Sequence, residues 1–278
     1  MTGRTIVITG ASDGIGAVAA RQLAAQGDHV AAVGRSRDKT NGLAAAIGAR
    51  AYVADFADLS QVRALATRLQ ADHERIDVLV NNAGAIMPRF TRTADGIETT
   101  LQVNHLAPFL LTNLLLSVLE ASRATVINTA SSSAKRLAHL DLDDLENERT
   151  PDMQKAYGDS KLANILFTRE LQRRHGGDGI STVAFHPGNV ASNFAADTTS
   201  SWRFIYGTPL RHVMLISPER GTRTLLWLVN GTPGRDWQPG QFYIKHHAAA
   251  SSPQADDPAL ARALWDRSAA LVGLVPAS

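Results

Sequence analysis

From residue 5 to residue 272, short apolar runs rich in β-branched residues take turns with stretches of helical composition. "TIVITG" (5–10), "HVAAVG" (29–34), "RAYVAD" (50–55), "IDVLVNNAG" (76–84), "ATVINTAS" (124–131), "ISTVAFHPG" (180–188) and "GQFYI" (240–244) read as strands. Residues 14–26, 38–47, 59–74, 98–121, 154–175, 217–230 and 257–272 read as helices. A strand that is apolar at successive positions must be covered on both sides, so the pattern gives an α/β fold with a parallel sheet between two helical layers. The rhythm never divides into halves, and residues 1–278 are expected to form one domain. Two stretches interrupt it: a polar connection at 133–153 and a segment at 189–216 with scattered aromatics. Both follow strand ends, where open sheets bind ligands, and long connections there usually serve function.

Composition removes several classes of function. There is no cysteine, hence no disulfide framework, thiolate nucleophile or cysteine-ligated zinc, which also suits a reducing compartment. The 28 basic and 26 acidic residues leave a net charge of +2, too small and too scattered for a nucleic-acid footprint. No apolar run approaches the roughly 18 residues that span a bilayer. "MTGRTIVITG" runs straight into a strand without the plan of a signal peptide. A cytoplasmic protein with no nucleic-acid partner and no transmembrane segment is expected. His73 and "KHH" (245–247) lack metal-ligand spacing, so no metal is assigned.

The turn "TGASDGIG" (9–16) joins the first strand to the first helix. Gly10 suits a tight turn, Gly14 lets backbone approach a pyrophosphate, and Gly16 allows close packing of helix on strand. The helix start adds amide donors and the positive end of a dipole. Ser12, Asp13 and Ile15 of the same turn join the expected dinucleotide-binding set. No Gly-Lys-Ser/Thr follows, so a P-loop is not expected. Asp55 closes the third strand, with Phe56 beside it; its carboxylate would accept from an adenine amino group or cap a helix. In "NNAG" (81–84), Asn81, Ala83 and Gly84 would hold strand ends around the cofactor or form a turn. "AYGDSKLAN" (156–164) sets Tyr157 one helical turn before Lys161, a pairing that by itself would be surface packing.

Taken in order, "TGASDGIG", Asp55, "NNAG", Asn104, the serines at 131–133 and "YGDSK" make the sequence resemble the short-chain dehydrogenase/reductase family over about residues 4–272. "VNHLAPFLLTNLLL" (103–116), "AYGDSKLANILFTREL" (156–171), "HPGNVASNF" (186–194) and "LWDRSAALVGL" (264–274) are similar to its retinol-dehydrogenase-like branch. The resemblance implies a single-domain, Rossmann-like, doubly wound parallel β-sheet with helices on both faces. It implies oxidoreduction of an alcohol and its carbonyl with an NAD(P) cofactor. Tyr157 would be the general acid or base. Lys161 would favour its phenolate, as would the positive nicotinamide ring, and would also bond the cofactor ribose. Ser131 would hold the substrate oxygen, with Ser132 the choice if the serine run is aligned from its other end. Asn104 would hold a water linking Lys161 to solvent, or be a polar residue kinking a helix.

Tyr157 follows Ser131 by 26 positions, longer than the family norm; the excess lies in 133–153, where the retinol-dehydrogenase-like branch has such an insertion. Pro187, Gly188, Val190 and Ser192 match the family's turn after the sixth strand, with the Val190 backbone toward the nicotinamide carboxamide. His186, next to them, is expected to be structural. At the second strand end Gly34 stands where an NAD-preferring member carries an acid, and Arg35 follows, suited to a 2′-phosphate. Asp13 argues the other way, and NADP is favoured over NAD. Phe194, Trp202, Phe204 and Tyr206 within 189–216 would make a lid over a lipophilic small-molecule substrate. Helices 98–121 and 154–175 would form a homodimer or homotetramer interface, unless the monomer itself buries "PFLLTNLLLSVL" (108–119). The alternative to an enzyme is a cofactor-binding regulatory or scaffold protein of the same fold.

Overall fold

The computed structural model describes residues 3–188 and 216–274. Eight strands form one sheet in the order β3-β2-β1-β4-β5-β6-β7-β8. They are β1 (Thr5–Thr9), β2 (His29–Gly34), β3 (Arg50–Val53), β4 (Val78–Asn81), β5 (Thr125–Thr129), β6 (Ser181–His186), β7 (Phe242–Ile244) and β8 (His247–Ala248). β1 to β7 pair in parallel; β8, absent from the sequence reading, folds back antiparallel on β7. The turn between them holds Lys245 and His246 at positive φ.

Side chains alternate across the sheet because the strand period is two. Ile6, Ile8, Val78, Val80, Ile127, Val183 and Phe185 face one layer, made by α1 (Gly14–Ala25), α2 (Arg37–Ile47) and α9 (Pro218–Asn230). Val7, Leu79, Val126 and Ala184 face the other, made by α3 (Leu59–Asp72), α5 (Ala107–Leu114), α8 (Met153–His175) and α10 (Pro258–Leu271). The helix starts are capped as their sequences dictate: Asp58, Asp152, Ser217 and Asp257 accept from the first free amides of α3, α8, α9 and α10. Asp58, not Asp55, is thus the cap of α3.

The stretch read as one helix over 98–121 is broken into α4 (Thr99–Leu101), a π-helical turn (Gln102–Leu106), α5 and α6 (Leu116–Ala121). The π-helical turn has its cause in Pro108, four residues after Asn104. A proline has no amide to return to the carbonyl four residues back, and its ring crowds that carbonyl. The Asn104 carbonyl instead accepts from Asn164 Nδ2 of α8 at 3.0 Å, and the Ala107 amide reaches back to Gln102 O.

The 133–153 connection is more ordered than its polar composition suggests. It contains α7 (Ser133–Arg136) and a 3₁₀ turn (Leu142–Asp144). Asp159, nearly buried on α8, fastens it by accepting from His139 N at 2.8 Å and Asn147 Nδ2 at 3.1 Å.

The apolar face of 108–119 is core of this chain. Phe109, Leu110 and Leu111 are fully buried, and Trp265 of α10 meets Phe109 edge-on at 5.0 Å and Phe167 of α8 at 5.7 Å. Assembly is therefore not needed to cover that face. Trp265→Ala would leave a cavity between three helices and is expected to lower unfolding free energy by about 3–5 kcal/mol in urea denaturation; a change within about 0.5 kcal/mol would show that α10 does not hold this face.

Candidate active site

A cleft of about 570 Å³ runs along the C-terminal ends of β1 to β6. It straddles β1 and β4, where the strand order reverses and an open α/β sheet presents a crevice. Gly10, Ser12, Asp13, Gly14 and Ile15 form one wall, Arg35 the next, then Asp55 and Phe56, then Ala83 and Gly84, and finally Pro187 and Gly188. Ser131, Tyr157 and Lys161 line the same cleft. Residues far apart in sequence are thus brought together as expected from the motif order.

Three predicted residues stand behind the wall. Gly16 is buried, and a Cβ there would lie 2.2 Å from the Gly10 carbonyl oxygen, so glycine is required for α1 to approach its own turn. Asn81 is buried, with Nδ2 donating to Thr112 Oγ1 at 3.0 Å and Asn128 Oδ1 at 2.9 Å. The strand alternation turns Asn81 inward beside Leu79 and leaves Asn82 at the cleft. Asn82 Nδ2 donates to Thr9 O at 3.0 Å, tying the ends of β1 and β4 together. Asn104, in the π-helical turn, is fully buried and is braced against the strand-end loop. Its Oδ1 accepts from Ala85 N at 2.8 Å and its Nδ2 donates to Ala85 O at 2.9 Å and Ser160 Oγ at 3.2 Å. Ser160 in turn donates to the Tyr157 carbonyl at 2.8 Å. Val190, Ser192 and the lid residues lie outside the described residues.

Ser131 lines the cleft; Ser132 does not. Ser131 Oγ accepts from Ser133 N at 3.1 Å, which turns the start of α7 toward the cleft. Lys161 is almost wholly buried, its Nζ 3.2 Å from Thr129 O and 5.6 Å from the centre of the Tyr157 ring. Burial pushes its ammonium down from the ordinary lysine value to about 8. A cation held beside a phenol stabilises the phenolate and eases proton transfer at its oxygen.

Sequence reasoning passed over several lining residues. Ser36, Lys39, Ile86, Met87, Leu137 and Gln154 line the cleft as well. Asp13, read as a residue that would repel phosphate, caps α1 through Gly14 N at 2.7 Å and pairs with Lys39 at 3.4 Å. Gly34 has no room for a side chain: a Cβ would lie 2.4 Å from Thr40 Oγ1 and 2.8 Å from Ser12 Oγ. His186, expected to be structural, lines the cleft. Burial, with Arg136 nearby, lowers its imidazole to about 4, so it is neutral.

Comparison with known proteins gives the family. The family model described as short chain dehydrogenase matches residues 4–202. A Streptomyces sp. (strain C5) protein, provisionally named as a daunorubicin C-13 ketoreductase, is 40% identical over 98% of this chain and 94% of its own length. Human retinol dehydrogenase 11 is 37% identical over 99% of this chain and 87% of its own. Among solved structures, an uncharacterised protein from Mycobacterium paratuberculosis aligns with a TM-score of 0.77 at 33% identity, covering 97% of this chain and 93% of that one. No helix among the described residues is long and apolar enough to cross a membrane.

Proposed function

The chain belongs to the short-chain dehydrogenase/reductase family, in its retinol-dehydrogenase-like branch, and is an oxidoreductase acting on CH–OH groups; from this we propose that it interconverts a lipophilic alcohol and its carbonyl with NADP, using Tyr157 as general acid and base. The observation that carries the reading is the convergence of Ser131, Tyr157 and the buried Lys161 on the cleft that the glycine turn opens into.

The residues suit the cofactor. The Gly10–Gly14 backbone and the start of α1 would take the pyrophosphate, Asp55 and Phe56 the adenine end, and Lys161 the ribose hydroxyls nearest Tyr157. Val190 and Ser192 would complete the nicotinamide end. The exclusion of any side chain at Gly34 removes the acid that would hold an unmodified ribose. Arg35, Ser36 and Lys39 in its neighbourhood offer charge and donors to a 2′-phosphate, and Lys39 offsets Asp13. When bound, the dinucleotide supplies or accepts the hydride. In reduction, the Ser131 hydroxyl orients the carbonyl oxygen, and Tyr157 gives its proton to that oxygen as it gains charge. The Lys161 ammonium stabilises the phenolate left behind. Asn104 and Ser160 hold the helical turn that carries Tyr157. In oxidation the phenolate takes the alcohol proton back.

Ile86, Met87 and Leu137, which line the same cleft as Tyr157, support an apolar substrate, and relatives named for retinol and daunorubicin point the same way. The lack of cysteine fits a cytoplasmic setting. The test is NADPH oxidation across a panel of aldehydes and ketones, with NADH in parallel; no turnover on any member, with NADPH bound tightly, would favour the scaffold alternative. Arg35→Ser is expected to raise the NADPH dissociation constant by about tenfold or more, the loss of one ion pair to phosphate, and to leave NADH within about twofold. Equal weakening of both nucleotides would remove Arg35 from phosphate recognition.

A further inference from the structure

Pro108 leaves the Asn104 carbonyl without its helical partner, and what replaces that partner has a fixed orientation. Asn164 Nδ2 lies 3.0 Å from Asn104 O and 3.2 Å from Thr129 O. Both of those atoms only accept, so the amide cannot be turned over without setting its oxygen against two carbonyl oxygens. Its Oδ1 therefore faces His105 Nδ1, 3.2 Å away, and that nitrogen must carry the proton. His105 Nε2 then has a free lone pair, and it receives the hydroxyl proton of Ser268 on α10 at 2.9 Å. His105 is fully buried, and burial, opposed by the Asn164 hydrogen bond and assisted by the Lys161 charge, keeps it neutral, its value lowered to about 4. At the other end of the chain, Thr129 O is shared: it accepts from Asn164 Nδ2 and from Lys161 Nζ, each at 3.2 Å.

We propose that His105 is a positioning residue for Lys161: by giving the buried Asn164 Oδ1 its donor it keeps that amide in place, where it shares Thr129 O with the ammonium, and it anchors the arrangement to the C-terminal helix through Ser268. The role rests on Lys161 acting beside Tyr157 as read above. A carbonyl with one lone pair already engaged by Asn164 offers Nζ a single direction of approach, toward the Tyr157 ring. Without the His105 donor, the buried Asn164 Oδ1 has no partner, and the whole side chain swings out of its site toward one. Thr129 O is then released, and Nζ with it. A polar network that merely joined helices would depend on all its hydrogen bonds alike; this one depends on the Nδ1 donor in particular.

Two amide replacements separate the donors. His105→Asn puts an NH₂ where Nδ1 stands, and His105→Gln puts one where Nε2 stands; His105→Phe removes both. With NADPH and a carbonyl substrate, the Gln and Phe variants are expected to lose on the order of tenfold or more in kcat, with KM and NADPH dissociation constant within about twofold. The Asn variant is expected to keep kcat within about threefold of wild type although its melting temperature falls as far as that of Gln. Equal kcat loss in Asn and Gln, or full kcat in Phe, would overturn the role. A second readout needs no turnover: the ¹⁵N spectrum of the His105 ring, with and without NADPH, should show the Nδ1–H tautomer at neutral pH and no titration down to about pH 5. An Nε2–H tautomer would overturn the proposal. Undiminished turnover by Tyr157→Phe would instead overturn the reading of the site, so the two failures are told apart.

Discussion

Tyr157→Phe is expected to lower kcat by about 10²- to 10⁴-fold, the range for removing a positioned acid–base group, while its melting temperature and NADPH dissociation constant stay close to those of the wild type. The phenylalanine ring keeps the cleft wall and its place beside Lys161 Nζ, 5.6 Å from the ring centre. What is lost is the oxygen that gives or takes the proton. Among the described residues, no other acid lining the cleft stands with Lys161: Asp13 and Asp55 belong to the glycine-turn and β3 walls, and His186 is held neutral by burial at about 4. The serine pair supplies the control. Ser131→Ala should lose on the order of tenfold to a hundredfold, because its hydroxyl orients the reacting oxygen, whereas Ser132→Ala, off the cleft, should turn over as wild type. Turnover by Tyr157→Phe within about tenfold of wild type would remove Tyr157 from proton transfer.

Much of this arrangement was legible in the sequence because its determinants are local. A strand apolar on both faces announces a covered sheet, and a glycine turn at its end announces a crevice. The motif order from Gly10 to Lys161 carried the cleft walls with it. What escaped depended on facing and on contacts between distant segments. "NNAG" offered two asparagines, and only the strand period, counted back to Leu79, shows that Asn82 faces the cleft and Asn81 the core. Pro108 lies four residues after Asn104 and was the signal for a broken helix. That the freed carbonyl would be met by Asn164, 60 positions on, is a matter of tertiary packing. Asp13 looked like an obstacle to a phosphate because Gly14 N and Lys39, which it meets in the fold, could not be seen beside it in the sequence. The apolar face of 108–119 could not be assigned to assembly or core until α10 was seen to lie on it.

Lys161→Met should abolish most turnover and yet make the apoprotein more stable at neutral pH. Burial pushes the Lys161 ammonium from 10.5 down to about 8, so the folded state holds a charge at pH 7 that it would rather release. The unfolded chain still binds that proton up to about pH 10.5, while the folded chain gives it up near pH 8. Across that window the unfolded state carries more protons, and wild-type stability rises with pH. Below it both states are charged, and the cost of burying the ammonium is felt in full, about 3 kcal/mol at 1.36 kcal/mol for each pH unit of displacement. Methionine fills the same channel without the charge, and Thr129 O keeps its bond from Asn164 Nδ2. Urea denaturation at pH 7 should therefore place the variant about 2–3 kcal/mol above wild type, with the gap closing toward pH 10.5. A variant that is less stable than wild type at pH 7, by a margin independent of pH, would show that Lys161 is held for the fold. The expected result, stability gained as kcat falls by 10²-fold or more, would show that the buried charge is kept for the proton it steadies on Tyr157.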